Sequence, residues 1–335
     1  MARVFIFESK ETDIHFNLAL EKYLIEEFDP SSTVLFLWRN SPVVVIGRYQ
    51  NPWEECRLSA MDEAGVVLAR RCSGGGAVYQ DLGNICFTIV SPVAEGCKER
   101  NFQAVVRALS LMGVDAQVSG RNDIVVDGRK VSGSAFQTTK GRFCHHGTML
   151  VSTDLSCLPL YLTPDRRKLE SHGVRSVASR VANLVEFAPD ATTDKFASCM
   201  KEAFASEFCG DESNGCPVET LDKGKMGQLS GLGESFAMFS SREWNLGRTP
   251  SFTDRLSGRF PLGGVTFYLT VKKGVVSKAS VSSDTLVSGG VEALEAELSG
   301  MLYDPCAIKE KANASTDPFV SGALALLSSL MVQDS

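Results

Sequence analysis

The sequence predicts an α+β protein: a large mixed-sheet domain flanked by helices, followed by a second, smaller α+β domain at the C-terminus. Three observations carry this. Short apolar runs and helical patterns follow one another in mixed order through residues 1–243; a run of three glycines joins one strand to the next instead of opening a helix; and the pattern changes from Trp244 onward. The 335 residues, 44% of them hydrophobic, suffice for one large core and a second small one.

The first helix is "TDIHFNLALEKYLIEEF", where Phe16, Leu20, Tyr23 and Leu24 share a face behind an N-cap at Thr12 or Asp13. "VLFLW" and "VVVIG" around "RNSP" predict a hairpin. "NPWEECRLSAMDEAG" reads as a helix with Pro52 at its first position and Gly65 at its C-cap. The strand "VVLAR" runs into the glycines, and "ICFTIV" resumes a strand after the turn "DLGN". Asp127-Gly128 between alternating runs is a two-residue hairpin signal. With that loop, Val126 faces Arg129, Val125 faces Lys130 and Asp123 faces Ser132. Asp123, Val125, Lys130 and Ser132 then share a face, with Asp123 and Lys130 as diagonal neighbours. In "CHHGTML", His145 and His146 point to opposite sides. Beyond Trp244, "GVTFYLTVKKGVVSKASVSSD" predicts a hairpin, with helices "VEALEAELSG" and "DPFVSGALALLSSLMVQ" packed on it and a linker near "SSREWNLGRTP".

Composition excludes several functional classes. A net charge of -6 argues against a general nucleic-acid surface, so any anion site is local. The apolar runs stop far short of the roughly 20 residues that span a bilayer, and "MARVFIFESK" lacks the apolar segment of a secretory signal. No membrane association is expected; a cytoplasmic location is, or a mitochondrial one if a transit segment is removed ahead of Met1. Ten cysteines without a CxxC pair, and four histidines, suggest neither a zinc site nor a disulfide framework, and point to buried thiols in a reducing compartment.

"RRCSGGGAVYQDLGN" carries the chemistry. It lacks the Lys-Ser/Thr of a Walker loop and the helix of a dinucleotide fingerprint. What remains is a backbone that can approach an anion closely, with Arg70 and Arg71 beside it; the alternative is a glycine bulge with two solvated arginines. Asp123 and Lys130 lie within mutual reach, as a pair that holds a metal-bound phosphate and a carboxylate or as a surface salt bridge.

Five segments occur in order: "LFLWRN" with "VVVIGRYQNPWEEC"; "ARRCSGGGAVYQDLGN"; "GRNDIVVDGRKVSGSA" with "HHGTML"; "DRRKLESHGVRSVASRVANL"; and "WNLGRTPSF". Together they resemble lipoate-protein ligase A, a family of the biotin/lipoate ligase and transferase superfamily. The resemblance implies a catalytic domain over 1–243 with that superfamily's mixed sheet, and a small accessory domain over 244–335 of the kind found in ligases that make their own adenylate. It implies that lipoate and ATP form lipoyl-AMP, and that the lipoyl group passes to a lysine of apo lipoyl domains, in 2-oxoacid dehydrogenase E2 subunits and the glycine cleavage H protein. By the same resemblance Lys130 is the catalytic residue. ATP and adenylate are held by Arg71, Gly74, Gly75, Gly76, Ala77, Val78, Tyr79, Asp123 and Lys130; lipoate by Arg70, Ser73, Gly75, Lys130, Ser134 and His146; and Mg2+ by Asp123. A monomer is expected.

Adjacent residues of a strand face opposite sides, so Arg70 and Arg71 do not both enter one pocket. The resemblance favours Arg71, leaving Arg70 near the acyl tunnel or paired with an acid. It also makes "DRRKLESHGVRSVASRVANL" a lid over the adenylate, with Arg175 and Arg180 as contacts, against a plain solvated loop. Two positions depart from the family pattern: Gln80, where histidine is frequent, and Cys144, a buried thiol or, as in related octanoyltransferases, an acyl carrier. The alternatives to a ligase are a lipoyl or octanoyl transferase lacking the adenylation step, and a non-catalytic lipoyl-binding protein.

Overall fold

The computed structural model describes residues 3–163, 181–209, 216–246, 253–272 and 274–333. They form two compact units. The first comprises residues 1–45, 54–69 and 78–245; the second comprises 46–53, 70–77 and 246–335, so it takes in two short segments of the N-terminal half.

In chain order the strands up to residue 221 are β1 (Val4–Ser9), β2 (Thr33–Trp38), β3 (Val43–Ile46), β4 (Val67–Arg70), β5 (Val78–Gln80), β6 (Asn84–Pro92), β7 (Gln117–Ser119), β8 (Asp123–Val126), β9 (Arg129–Thr139), β10 (Arg142–Leu150) and β11 (Val218–Leu221). Eight of them form a mixed sheet in the order β11-β1-β2-β6-β10-β9-β8-β7, and β4-β3-β5 form a second sheet. β1 pairs in parallel with both β2 and β11, while the β2-β6, β6-β10 and β10-β9 pairs are antiparallel. The helices of this part are α1 (Ile14–Glu26), α2 (Pro52–Glu55), α3 (Leu58–Glu63), α4 (Lys98–Leu111), α5 (Leu158–Tyr161), α6 (Thr193–Phe208), α7 (Leu232–Ser240) and α8 (Arg242–Leu246).

Side chains alternate across the large sheet, and its two faces differ. Leu35, Leu37, Phe87 and Ile89 join Phe102, Val105 and Leu109 of α4 and Phe196, Met200 and Phe204 of α6 in the main core. On the other face, cross-strand pairing aligns Phe36, Thr88, His146 and Ala135 in one row. α1 lies over this row, its start capped by the Asp13 carboxylate accepting from the His15 N–H.

Three expectations of secondary structure and pairing need correction. β2 and β3 do not form a hairpin: β2 pairs with β1 and β6, whereas β3 pairs with β5 in the other sheet. The six-residue β2 is buried throughout, and pairing on both edges satisfies its backbone. The helix expected from Pro52 to Gly65 is broken into α2 and α3, because Cys56 bridges Leu162 and the Arg57 N–H donates to the Tyr161 carbonyl. In the β8-β9 hairpin, Val126 faces Arg129 and Val125 faces Lys130, but an irregularity then places Ile124 opposite Ser132 and Asp123 opposite Gly133. One extra residue on β9 flips the pleat, so Ser132 joins Ile124 on the core face, away from Asp123.

The second unit has a sheet of β12 (Asp254–Phe260), β13 (Gly263–Lys272) and β14 (Val275–Ser283), with α9 (Gly290–Leu298), α10 (Pro305–Ala314) and α11 (Pro318–Gln333). The expected hairpin and the two expected helices are present, and β12 and α10 are additional. Phe267, Leu269, Val281, Leu294, Phe319, Leu324 and Leu327 form its core, which Tyr49 also joins. Cys209 and Cys216 form a disulfide, against the expectation from cysteine spacing. A CxxC-based reading does not register a pair seven residues apart at the end of a helix. Among the described residues, no helix is long and apolar enough to cross a membrane.

Candidate active site

Lys130 is placed by the β8-β9 hairpin. Asp127 (φ 50°) and Gly128 (φ 74°) both take the left-handed conformation that a tight two-residue loop needs. Lys130 therefore enters β9 at a fixed distance from the turn, and its Nζ lies 2.8 Å from Asp123 Oδ1, with both side chains about one-third exposed. Gly133 lets the lysine lie flat: a Cβ there would stand 2.8 Å from Nζ and 2.9 Å from Cε. The Lys130 carbonyl also accepts from the Ala182 N–H, so the strand is held on its other edge. Ser134 stands opposite Gly147, where an added Cβ would meet the Phe87 ring of the main core. Its side chain thus belongs to the face away from the lysine amine.

On the lysine's face lies a buried polar network that sequence reasoning did not find. Glu21 of α1 accepts a hydrogen bond from the Thr88 hydroxyl at 2.6 Å and lies 2.8 Å from His146 Nδ1; Trp38 Nε1 donates to Thr88 Oγ1 at 3.2 Å. The available signal was a carboxylate inside the apolar stripe of an amphipathic helix, one residue from Leu20. His146 lies here as expected, and Cys144, two residues earlier, is on the same face and fully buried. His145 faces the other way among the rings of Phe87, Phe102 and Phe136, where burial pushes its pKa down to about 3.

Val78 and Tyr79 are on β5, with Tyr79 buried and its ring 5.7 Å from that of Tyr161. Burial pushes the Tyr79 phenol well above its usual range, which keeps it protonated. Gln80 has a structural role: its Oε1 accepts from Asn40 Nδ2 at 2.6 Å, and Asn40 Oδ1 accepts from Asn17 at 2.9 Å.

The second unit holds the arginines and the glycine loop. Arg71 Nη2 donates to the carbonyls of Gly74 and Gly76, each at 2.8 Å, and its Nε to Ser73 Oγ at 3.2 Å. Arg70 is buried, with Nη1 donating to the carbonyls of Gly47, Arg48 and Gln50. The glycines are demanded by close backbone packing. A Cβ on Gly74 would stand 2.0 Å from the Thr285 carbonyl oxygen, and Gly75 has φ 94° with its N–H donating to that same carbonyl at 2.9 Å. Ala77 closes the segment. Both arginines thus orient loop carbonyls, which leaves a set of fixed cations beside a backbone too close for side chains. Arg175 and Arg180 lie outside the described residues.

Each unit by itself offers charge-assisted positioning of anions: the first through a lysine that an aspartate steadies, the second through arginines that fasten a glycine loop. The description "Lipoyl protein ligase A/B catalytic domain" matches residues 13–205, more than half of the chain. The chain belongs to the lipoyl protein ligase A/B family. A second match, "Bacterial lipoate protein ligase C-terminus", covers residues 249–321. Similar solved structures include lipoate-protein ligases. P. falciparum LipL1 in complex with lipoate is 29% identical, over 98% of this chain and 99% of that one, with a TM-score of 0.84. A lipoate-protein ligase A bound with ATP is 28% identical over 74% of this chain and 99% of its own, with a TM-score of 0.62. A bipartite lipoate protein ligase from Thermoplasma acidophilum, studied with its E2 lipoyl domain, is 27% identical over 76% and 100%, with a TM-score of 0.62. The α+β fold, with a large mixed sheet and a smaller C-terminal α+β part, is that of the lipoyl protein ligase A/B family, and the chain is a lipoate ligase or lipoyl-transferring enzyme.

Proposed function

We propose that the protein is an ATP-dependent lipoate-protein ligase, which converts lipoate and ATP to lipoyl-AMP and pyrophosphate and then transfers the lipoyl group to a lysine of an apo lipoyl domain. The observation that carries this reading is the presence in one chain of both the catalytic region, 13–205, and the ligase C-terminal region, 249–321. The lipoate-bound and ATP-bound relatives support the two substrates. The relative studied with an E2 lipoyl domain supports the acceptor class, for which we propose E2 subunits and the glycine cleavage H protein, modified by a monomer.

In this reading residues 1–243 carry the catalytic machinery and 244–335 serve as an accessory domain. The lipoate carboxylate and the α-phosphate repel each other unless a cation is fixed between them, and the Lys130 amine supplies that cation. Asp123 steadies the amine from 2.8 Å. Its half-buried carboxylate is also a hard oxygen donor of the kind Mg2+ takes together with substrate phosphates. Magnesium at that position would neutralise phosphate charge. Arg71, Ser73 and the backbone from Gly74 to Tyr79 bind the nucleotide, and Arg70 and His146 serve the acyl side.

Cys144 does not favour the transferase alternative. Along β10 it is five residues from Met149, which pairs with Ser132 near the lysine, so it stands about 17 Å away at strand rise. The test incubates wild type and Lys130→Ala with lipoate, ATP, Mg2+ and an apo lipoyl domain. Wild type is expected to release pyrophosphate and modify one lysine, and Lys130→Ala to lose roughly 10²–10³ in rate while keeping its far-UV circular dichroism. Activity with an acyl-carrier thioester and none with lipoate plus ATP would make the protein a transferase.

A further inference from the structure

β9 outruns its partner strand at the catalytic lysine. β10 pairs with β9 from Arg142 opposite Thr139 to Met149 opposite Ser132, so Val131 and Lys130 extend past the end of that pairing. β8 holds one edge of Lys130, through Val125. The other edge is taken by residues 181–182: Val181 forms a parallel bridge with Lys130, and the Ala182 N–H donates to the Lys130 carbonyl at 2.9 Å. Two residues do not make a strand, and what fixes them is a pair of side chains.

Asn183 pairs its carboxamide with the backbone of one residue. The Thr153 N–H donates to Asn183 Oδ1 at 3.0 Å, and Asn183 Nδ2 donates to the Thr153 carbonyl at 2.9 Å; this is the reciprocal exchange of a ladder pair, made by a side chain. Arg129 acts from the other side. Its Nη1 donates to Glu186 Oε2 at 2.7 Å and its Nη2 to the Val181 carbonyl at 3.2 Å, and the second oxygen of Glu186 accepts from the Asn183 N–H at 2.9 Å. The Asn183 N–H and the Arg129 guanidinium hold the Glu186 carboxyl below its usual range, so the link stays charge-assisted. Residues 181–186 are thus fastened both to the stretch after β10 and to the residue before Lys130. We propose that Asn183 and Arg129 are positioning residues for Lys130: through this segment they fix the backbone that carries the amine, and they act on the reaction only through it. The role rests on the reading of Lys130 as the cation between carboxylate and phosphate. Such a cation works only when held in place, and a displacement of about 1 Å can cost roughly 10²-fold in rate.

Asn183→Asp is the sharpest change, since it keeps the shape and sets a second acceptor against the Thr153 carbonyl. Pyrophosphate release from lipoate and ATP should fall about tenfold or more in kcat, with both KM values unchanged. In a Lys130→Ala background the same substitution should cost nothing further, because the group it positions is gone. An equal loss in both backgrounds, or no loss in the wild-type one, would overturn the proposal. Arg129→Met keeps the stem and loses the fork, and it carries the same comparison if circular dichroism shows Asn183→Asp unfolded. A readout independent of the reaction is acylation of lysine amines, read residue by residue by mass spectrometry. Lys130 should label faster in either variant, as its amine leaves Asp123, while the other lysines label as in wild type. Unchanged Lys130 labelling sinks the proposal whether or not the protein is a ligase. Wild type that releases no pyrophosphate, with Lys130 labelling still responding to the variants, would fault the ligase reading alone and uphold the positioning.

Discussion

His145 shows how far a single residue can depart from its ordinary chemistry. It sits among three phenylalanine rings, neither ring nitrogen has a hydrogen-bond partner among the described residues, and burial lowers its pKa to about 3. His146 and Lys98 add a smaller push in the same direction. The unfolded imidazole takes a proton near pH 6.5, so the unfolded chain holds the extra proton between 6.5 and about 3. Stability is full above pH 6.5 and is lost as pH falls through that window, by on the order of 2 kcal/mol at pH 5. His145→Leu removes the titrating group at similar volume and leaves no unsatisfied nitrogen, so it should be near neutral at pH 7 and flatten the loss between pH 6.5 and 4. Urea unfolding across that range measures it; an unchanged slope would show that other groups govern acid stability.

The glycine loop is the informative element. Its sequence called for an anion cradle, and the structure supplies a packing reason for the same glycines: Gly74 meets the Thr285 carbonyl and Gly75 is left-handed. The two requirements coexist, and both fail on adding a side chain. Gly75→Val should lose about 1–2 kcal/mol from the backbone conformation alone and, on the proposed function, weaken ATP binding more than lipoate binding. Denaturation midpoints and calorimetric titrations measure the two effects; wild-type values for both would remove the loop from nucleotide binding. Local signals such as this glycine run, the Asp127-Gly128 turn and the alternation of His145 and His146 were readable, because each is decided within a few residues. The β2-β3 separation, the β9 irregularity and the break between α2 and α3 were not, because each depends on a partner strand or segment distant in sequence. Glu21 was missed for a related reason: its partners, Thr88 and His146, come from two other elements.

At the scale of the whole molecule, division into units does not follow the chain. Segments 46–53 and 70–77 are grouped with 246–335, and specific bonds show why. Asn51 donates to Tyr268 and Ser282, the Ser283 N–H donates to the Tyr49 carbonyl, and the Gly75 N–H donates to Thr285. Deleting residues 244–335 should therefore leave the main core of the large sheet protected while the amides of 46–53 and 70–77 exchange rapidly. Hydrogen exchange with mass spectrometry compares the two chains; unchanged protection of Gly75 would mean that the loop holds itself.

The Gly75–Thr285 bond also sets an order of events during synthesis. Thr285 follows Gly75 by 210 positions, and at roughly 5–20 residues per second the acceptor is made about 10–40 s after the loop. For that interval the glycine segment lacks its Thr285 acceptor, while α1, β6 and β10, all upstream of residue 151, are made well before Thr285. The segment that the proposed chemistry uses first is therefore among the last to take shape, and translation must reach the final quarter of the chain before the loop is set.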